Sequence, residues 1–182
     1  MGQEGQSIGS KAETLALDKR QVGAAASKLF AASLGDIVVV LSRSPAHKHY
    51  SLADIEWMAM PPAAAGQFYV AELADKQRGF RAPVAVVTWA LVSEEVDRRL
   101  ESQAGRLLRL RPDEWNSGEI AWLIDAAGSP AGVKAALQRL ADGPFKERAL
   151  KVVVREEPGG VARVGALADI VRRDAGAGSA AA

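Results

Sequence analysis

Glu119-Ile120-Ala121-Trp122-Leu123-Ile124-Asp125-Ala126-Ala127-Gly128-Ser129-Pro130 is the stretch that decides the architecture of this chain. Its first nine residues are apolar on both faces, which is the composition of a strand buried in the middle of a sheet. Gly128-Ser129-Pro130 then opens a helix abruptly. Ser129 can cap it, and Pro130 suits the first helical position because the N–H it lacks would have no intrahelical partner there. Val133, Leu137 and Leu140 give this helix an apolar stripe, and Gly143-Pro144 stops it. One carboxylate, Asp125, lies inside the apolar run, where a charge is costly unless a partner compensates it.

On either side of this unit the pattern is mixed. Gln67–Leu73 and Pro83–Val92 are β-rich runs joined by the charged turn Asp75–Gly79, and they predict an antiparallel hairpin. Ser93-Glu94-Glu95 starts a helix with acids in its first turn and Val96 and Leu100 on one face. Leu150–Val154 and Val161–Val164 flank Glu156-Glu157-Pro158-Gly159-Gly160 as a second hairpin, and a short helix follows to Asp174. Nearer the start, Asp18 and Gln21 open a helical pattern through Val22, Ala26, Leu29 and Phe30, with Leu34-Gly35 as its end. Asp36–Leu41 reads equally as strand or helix, and Pro61-Pro62 breaks the segment after it. The sum is one α+β domain over residues 15–174 with a mostly antiparallel central sheet flanked by helices. Residues 1–14, polar and Gly-rich, are expected to be disordered, and 175–182 to form a flexible tail.

Composition narrows the function. At 182 residues, 48% hydrophobic and 25% charged, the chain suits a single domain with a sizeable core. A net charge of +1 creates no global field that calls for nucleic acid or a membrane surface. Arginines do cluster, at Arg98, Arg99, Arg106, Arg109 and Arg111 and again at Arg163, Arg172 and Arg173, as a solvated helix face or as a docking patch for an acidic partner. The chain has no cysteine, which excludes thiol nucleophiles and thiolate metal sites. No signal-like apolar core stands at Met1–Lys11, and runs such as Ile37–Leu41 and Ala82–Val92 are too short to span a bilayer. A soluble, cytoplasmic protein without a membrane span is the expectation.

The chemistry centres on the two histidines, His47 and His49, in Ser44-Pro45-Ala46-His47-Lys48-His49. Pro45 keeps Ser44 out of the α region, so the backbone turns just ahead of His47 and leaves it accessible. Histidine is the natural proton acceptor near neutral pH, and a carboxylate in apolar surroundings, Asp125, is the usual means of orienting it. His-x-His also resembles metal ligation. With two histidines in all and only Asp125 to recruit, however, the ligand set is short for zinc, and no metal is expected. The helix start at Gly128, Ser129, Ala131 and Gly132 offers free N–H groups to an acyl donor or an oxyanion, although the same residues make a good helix start and nothing more. His47 could equally be a surface histidine in a basic loop, and Asp125 a strand-end cap.

Four motifs stand in register: Ser44-Pro45-Ala46-His47; Pro83-Val84-Ala85 leading to Trp89-Ala90; Glu114-Trp115-Asn116-Ser117-Gly118; and Trp122-Leu123-Ile124-Asp125. In these the chain resembles the RTX-toxin-activating lysine acyltransferases, cytoplasmic activators of hemolysin-type protoxins, over roughly Leu34–Asp174. The resemblance implies a fold like the GCN5-related N-acetyltransferases. It also implies transfer of a fatty acyl group from acyl carrier protein, as donor co-substrate with no bound cofactor, to the ε-amine of internal lysines of an RTX protoxin. The family's catalytic histidine and aspartate fall on His47 and Asp125, and its conserved serine falls on Ser44. His49 is expected to support them, and a homodimer is implied. The chain departs from the family pattern at Lys48-His49-Tyr50, where members often carry Arg and Trp, and in its extension Met1 to about Ser33.

Two other readings fit the same residues. One is a CoA-dependent N-acetyltransferase of the same fold, although Gly128–Gly132 lacks the Arg/Gln-x-x-Gly-x-Gly/Ala pattern of such enzymes. The other is a non-catalytic toxin-binding module in which His47 is incidental.

Overall fold

A computed structural model describes residues 5–75, 77, 79–107, 109–155 and 161–172 and, residue 75 apart, the side chains from residue 21 onward. Five strands form one sheet in the order β1 (Phe68–Asp75), β2 (Phe80–Val92), β3 (Ile120–Gly128), β4 (Leu150–Arg155) and β5 (Ala162–Ala166). All neighbours pair antiparallel except β3 and β4. The parallel pair needs a crossover, and α5 (Pro130–Asp142) supplies it. This is a mostly antiparallel α+β sheet flanked by helices, compatible with the N-acetyltransferase-like fold. Both predicted hairpins are present, and the quoted strand is central. The β4–β5 turn and the predicted end of the last helix at Asp174 lie outside the described residues, as does the tail 175–182; residues 167–172 are helical.

Each helix forms for local reasons and buries one side. Ser129 caps α5, its Oγ accepting from Gly132 N at 3.2 Å, and α5 lays Ala136 and Leu140 on Val87, Ala121 and Leu123. On the opposite face α1 (Gly5–Arg43), α2 (Leu52–Met58) and α3 (Met60–Ala65) bring Ile37, Val40, Leu41, Trp57 and Met58 onto Val86 and Ala127. The same face carries α4 (Glu94–Ser102), which packs Val96 and Leu100 on Ala90, Val92 and Trp122. Lys151 reaches Asp97 Oδ1 at 2.7 Å and Glu101 Oε1 at 2.7 Å, and Trp122 Nε1 donates to the same Asp97 oxygen, so α4 is tied to both β3 and β4.

The N-terminal half differs from the sequence expectation. A single helix, α1, replaces the predicted one: it starts at Gly5 rather than Asp18, runs through Gly35, and takes in Asp36–Leu41. Gly35 does not end it because a glycine costs a helix only about 1 kcal/mol, whereas Ile37, Val40 and Leu41 beyond it are buried on the sheet. Within α1, Gln21–Arg43 is by length and composition apolar enough to cross a membrane, which the shorter runs read from sequence did not suggest. Ile37, Val40 and Leu41 in its last turns pack on the sheet. Pro61 and Pro62 do not interrupt a helix either. They begin one, in the first turn of α3, where proline is tolerated.

The turn from β3 into α5 demands glycine. Gly128 has φ +112°, and a Cβ there would overlap the Val84 carbonyl oxygen and stand 2.6 Å from Ala85 Cα. Gly128→Ala is expected to cost about 2 kcal/mol or more and to lower Tm in a thermal melt. An unchanged Tm would show that the turn adjusts.

Candidate active site

Helix α1 ends at Arg43 because Ser44 precedes a proline, and the chain then turns tightly: His47 N and Lys48 N both donate to Ser44 O, at 3.0 and 2.9 Å, and Tyr50 N donates to His47 O at 2.9 Å. The turn points His47 at the sheet. Its Nε2 lies 3.0 Å from Asp125 Oδ2, and its Nδ1 lies 2.8 Å from Ser44 Oγ. Ser44, His47 and Asp125 are thus joined in one chain of hydrogen bonds. The other Asp125 oxygen accepts from Ala126 N at 2.8 Å, so the strand carboxylate has the two kinds of partner that its apolar setting requires.

Asp125 reaches this face through a β-bulge. The register of β2 and β3 shifts between Thr88 and Trp89, where Asp125 pairs with Thr88 but Leu123 pairs with Trp89, leaving Ile124 extra. Ala121 and Leu123 pack toward α5, and strict alternation would send Asp125 after them. The bulge reverses the phase: beyond it Ala126 packs toward α5, and Ala127 packs toward α1. Asp125 therefore shares a face with His47.

Accessibility is lower than the turn suggested. The His47 side chain is 10% exposed and that of Asp125 30%. Tyr50 stands edge-on to the His47 ring at 5.3 Å between centroids. The hydrogen bond to Asp125 raises the His47 pKa above 6.5; burial opposes it, and the charge of Asp125 adds to the rise. Burial, with the charges of Asp125 and Asp54, pushes the Tyr50 hydroxyl up as well.

The other expected residues do not join the pair. His49 lies within the same turn as His47 rather than on an extended strand, and it is exposed. Gly128 lies three residues along β3 from Asp125, about 10 Å away at ~3.3 Å per residue. Ser129 is committed to capping α5, with its own N–H on Val84 O, and Ala131 is exposed. Gly128 and Ser129 line a separate space of about 320 Å³ with Val40, Arg43, Pro83 and Val84, next to the end of α1, and none of them hydrogen-bonds to the pair. Among the described residues no three His, Asp or Glu side chains come together as a metal site.

Residues to which the sequence reading gave no part in this site complete its surroundings. A space of about 40 Å³ beside His47 and Asp125 is walled by Tyr50, Trp57, Met58, Leu107 and Ile124. Asp54 Oδ1 accepts from Trp57 Nε1 at 3.1 Å, and Arg109 lies 4.9 Å over the Trp57 ring. Strands β3 and β4 pair only at Ala121–Leu150 and Trp122–Lys151. A groove of about 280 Å³ beside Asp125 is lined by Arg106, Leu107, Ile124, Val152 and Val153. The arginine cluster is largely matched internally: Arg99 and Arg111 meet the buried Glu114, and Arg98 pairs with Glu94.

The sequence profile of the RTX toxin acyltransferase family matches residues 27–167. The chain belongs to that family. It is accordingly an acyltransferase of RTX toxin activation, with a protoxin as its substrate. The match takes in α1 from residue 27 and everything that builds the pair. No curated protein matches the chain.

The raised His47 pKa has a sign that can be checked. A histidine whose folded pKa exceeds its unfolded value stabilises the fold fully below about 6.5, and that contribution is lost as pH rises through the folded pKa. NMR titration of His47 should place its midpoint above 6.5, and Asp125→Asn should lower it. A wild-type midpoint below 6.5 would contradict the pairing.

Proposed function

We propose that this acyltransferase moves a fatty acyl group from acyl carrier protein to lysine ε-amines of an RTX protoxin, with His47 as the base and Asp125 as its orienting carboxylate. The observation that carries this reading is the Ser44–His47–Asp125 hydrogen-bond chain within a chain of this family. A lysine is protonated near neutral pH and must shed a proton to attack a thioester. The amine nitrogen bonds to the carbonyl carbon, the carbon–sulfur bond breaks, and the thiolate leaves. The ammonium loses its first proton to solvent before attack; the second, shed as the amide forms, passes to His47 and from there to the departing sulfur.

Both ring nitrogens of His47 have partners, and this shapes the route. With Nε2–H donated to Asp125, Nδ1 accepts from the Ser44 hydroxyl. The amine then gives its proton to Ser44 Oγ as Ser44 passes its own to Nδ1. Asp125 stabilises the imidazolium that results. The apolar groove beside Asp125 suits the acyl end of the donor, and Arg106 at its wall suits an acidic carrier.

The order Ser–His–Asp also favours a second reading, in which Ser44 is acylated before the lysine. In the second reading the buried Ser44 Oγ must itself bond to the thioester carbon, whereas in the first it meets only the amine. Intact mass of the protein incubated with acyl carrier protein alone separates the two, because only the second gives an acyl-protein adduct.

Acylation of protoxin read by mass spectrometry tests the assignment. His47→Ala should lower the rate by about 10²–10⁴-fold. Asp125→Asn should cripple it with the fold intact, because an amide does not stabilise the imidazolium. Ser44→Ala should fall less than His47→Ala, because Nδ1 is then open to the amine, and His49→Ala should keep most activity. Undiminished acylation by His47→Ala would sink the proposal.

A further inference from the structure

We propose that Leu107 sets the length of acyl chain this protein transfers, an inference that rests on the acyl-transfer reading above. The acyl carbonyl must come within reach of the amine beside His47, where the free space is about 40 Å³. That is the smaller of the two spaces beside the pair, so an alkyl tail finds less room on the His47 side than in the groove. The neighbouring groove measures about 280 Å³. Its walls include Leu107, Leu123, Ile124, Ala126, Val152 and Val153, which suit an alkyl chain.

Three residues line both spaces: Leu107, Ile124 and Asp125. Asp125 belongs to the pair, and Ile124 is fixed by the strand. Leu107 alone lies on a connecting segment, between α4 and β3, and it is 66% exposed. An alkyl tail leaving the small space for the groove passes Leu107 and covers it.

The segment that carries Leu107 is held on both sides. Gly105, at φ +91°, takes a hydrogen bond on its carbonyl from Arg155. Leu110 is buried in the core, and Arg109 stacks on Trp57. Glu114, itself buried, accepts from Arg111 N at 2.8 Å and from Arg99 Nη2 at 2.6 Å. These contacts anchor the segment on either side of Leu107, so the size of its side chain bears on the room at the junction.

The test charges acyl carrier protein with octanoyl or hexadecanoyl chains and follows transfer to an RTX protoxin by intact mass. Leu107→Trp should lower the hexadecanoyl-to-octanoyl ratio of kcat/KM by about tenfold or more, and Leu107→Ala should raise it, as expected when methylene-scale space changes in an apolar site. Exposure of Leu107 makes both variants compatible with folding, which a thermal melt checks. Should both variants acylate with the wild-type ratio to within about twofold, Leu107 is not the selecting residue. Should wild type transfer neither chain from the carrier, the acyl-carrier reading itself fails and takes this inference with it.

Discussion

Strand β3 has to serve both faces of the sheet, and the extra residue Ile124 is what lets it. Before the bulge its residues alternate between α5 and α4; after it the alternation is reversed. Had β3 kept strict phase, Asp125 would point at α5, into a face packed with Val87, Leu123, Ala136 and Leu140. A carboxylate there would be desolvated among aliphatic groups without a donor. The bulge converts an expensive burial into a half-exposed carboxylate with one oxygen on its own strand and one on His47. Bulges beside functional sites commonly re-aim a side chain in this way.

The second half of the pair depends on where α1 stops. Ile37, Val40 and Leu41 hold the last turns of α1 on Val86 and Ala127, and Pro45 forbids continuation. The turn that follows is closed by backbone hydrogen bonds to Ser44 O. One element end thus fixes both the histidine and the serine that meets its Nδ1. Because α1 packs on Val86 of β2 and Ala127 of β3, a shift of α1 or β3 would separate His47 from Asp125, and family membership joins this geometry to acyl transfer.

Around the pair the polar groups tie elements together more than they present charge. Glu114 gathers Arg99 and Arg111, Lys151 gathers Asp97 and Glu101, and Arg109 lies on Trp57. Such buried or half-buried pairs contribute modestly to stability after desolvation, but each one fixes a connection. Here they fix α4 and the segment after it over the β3–β4 groove.

By itself the sequence determined the elements whose signals are local: two hairpins, the central strand, the capped helix after Gly128-Ser129-Pro130, and the residues His47, Ser44 and Asp125. Strand alternation, turn residues and caps act over a few positions, so they can be read from a few positions. The extent of α1 was not readable, because its glycines and its β-branched run argue locally for a stop or a strand, and burial of Ile37, Val40 and Leu41 overrides them. Nor was the part played by Gly128 to Gly132. A helix start looks the same whether it faces a ligand or merely caps itself, and Ser129 here caps α5. Tyr50, Trp57, Leu107 and Ile124 carry no chemical signature; they line the site because α1, α2, the segment after α4 and a bulged strand converge there. The side chains with distinctive chemistry were visible in one dimension. Which face Asp125 takes, and what stands beside it, follows from a one-residue change of register that no local propensity encodes.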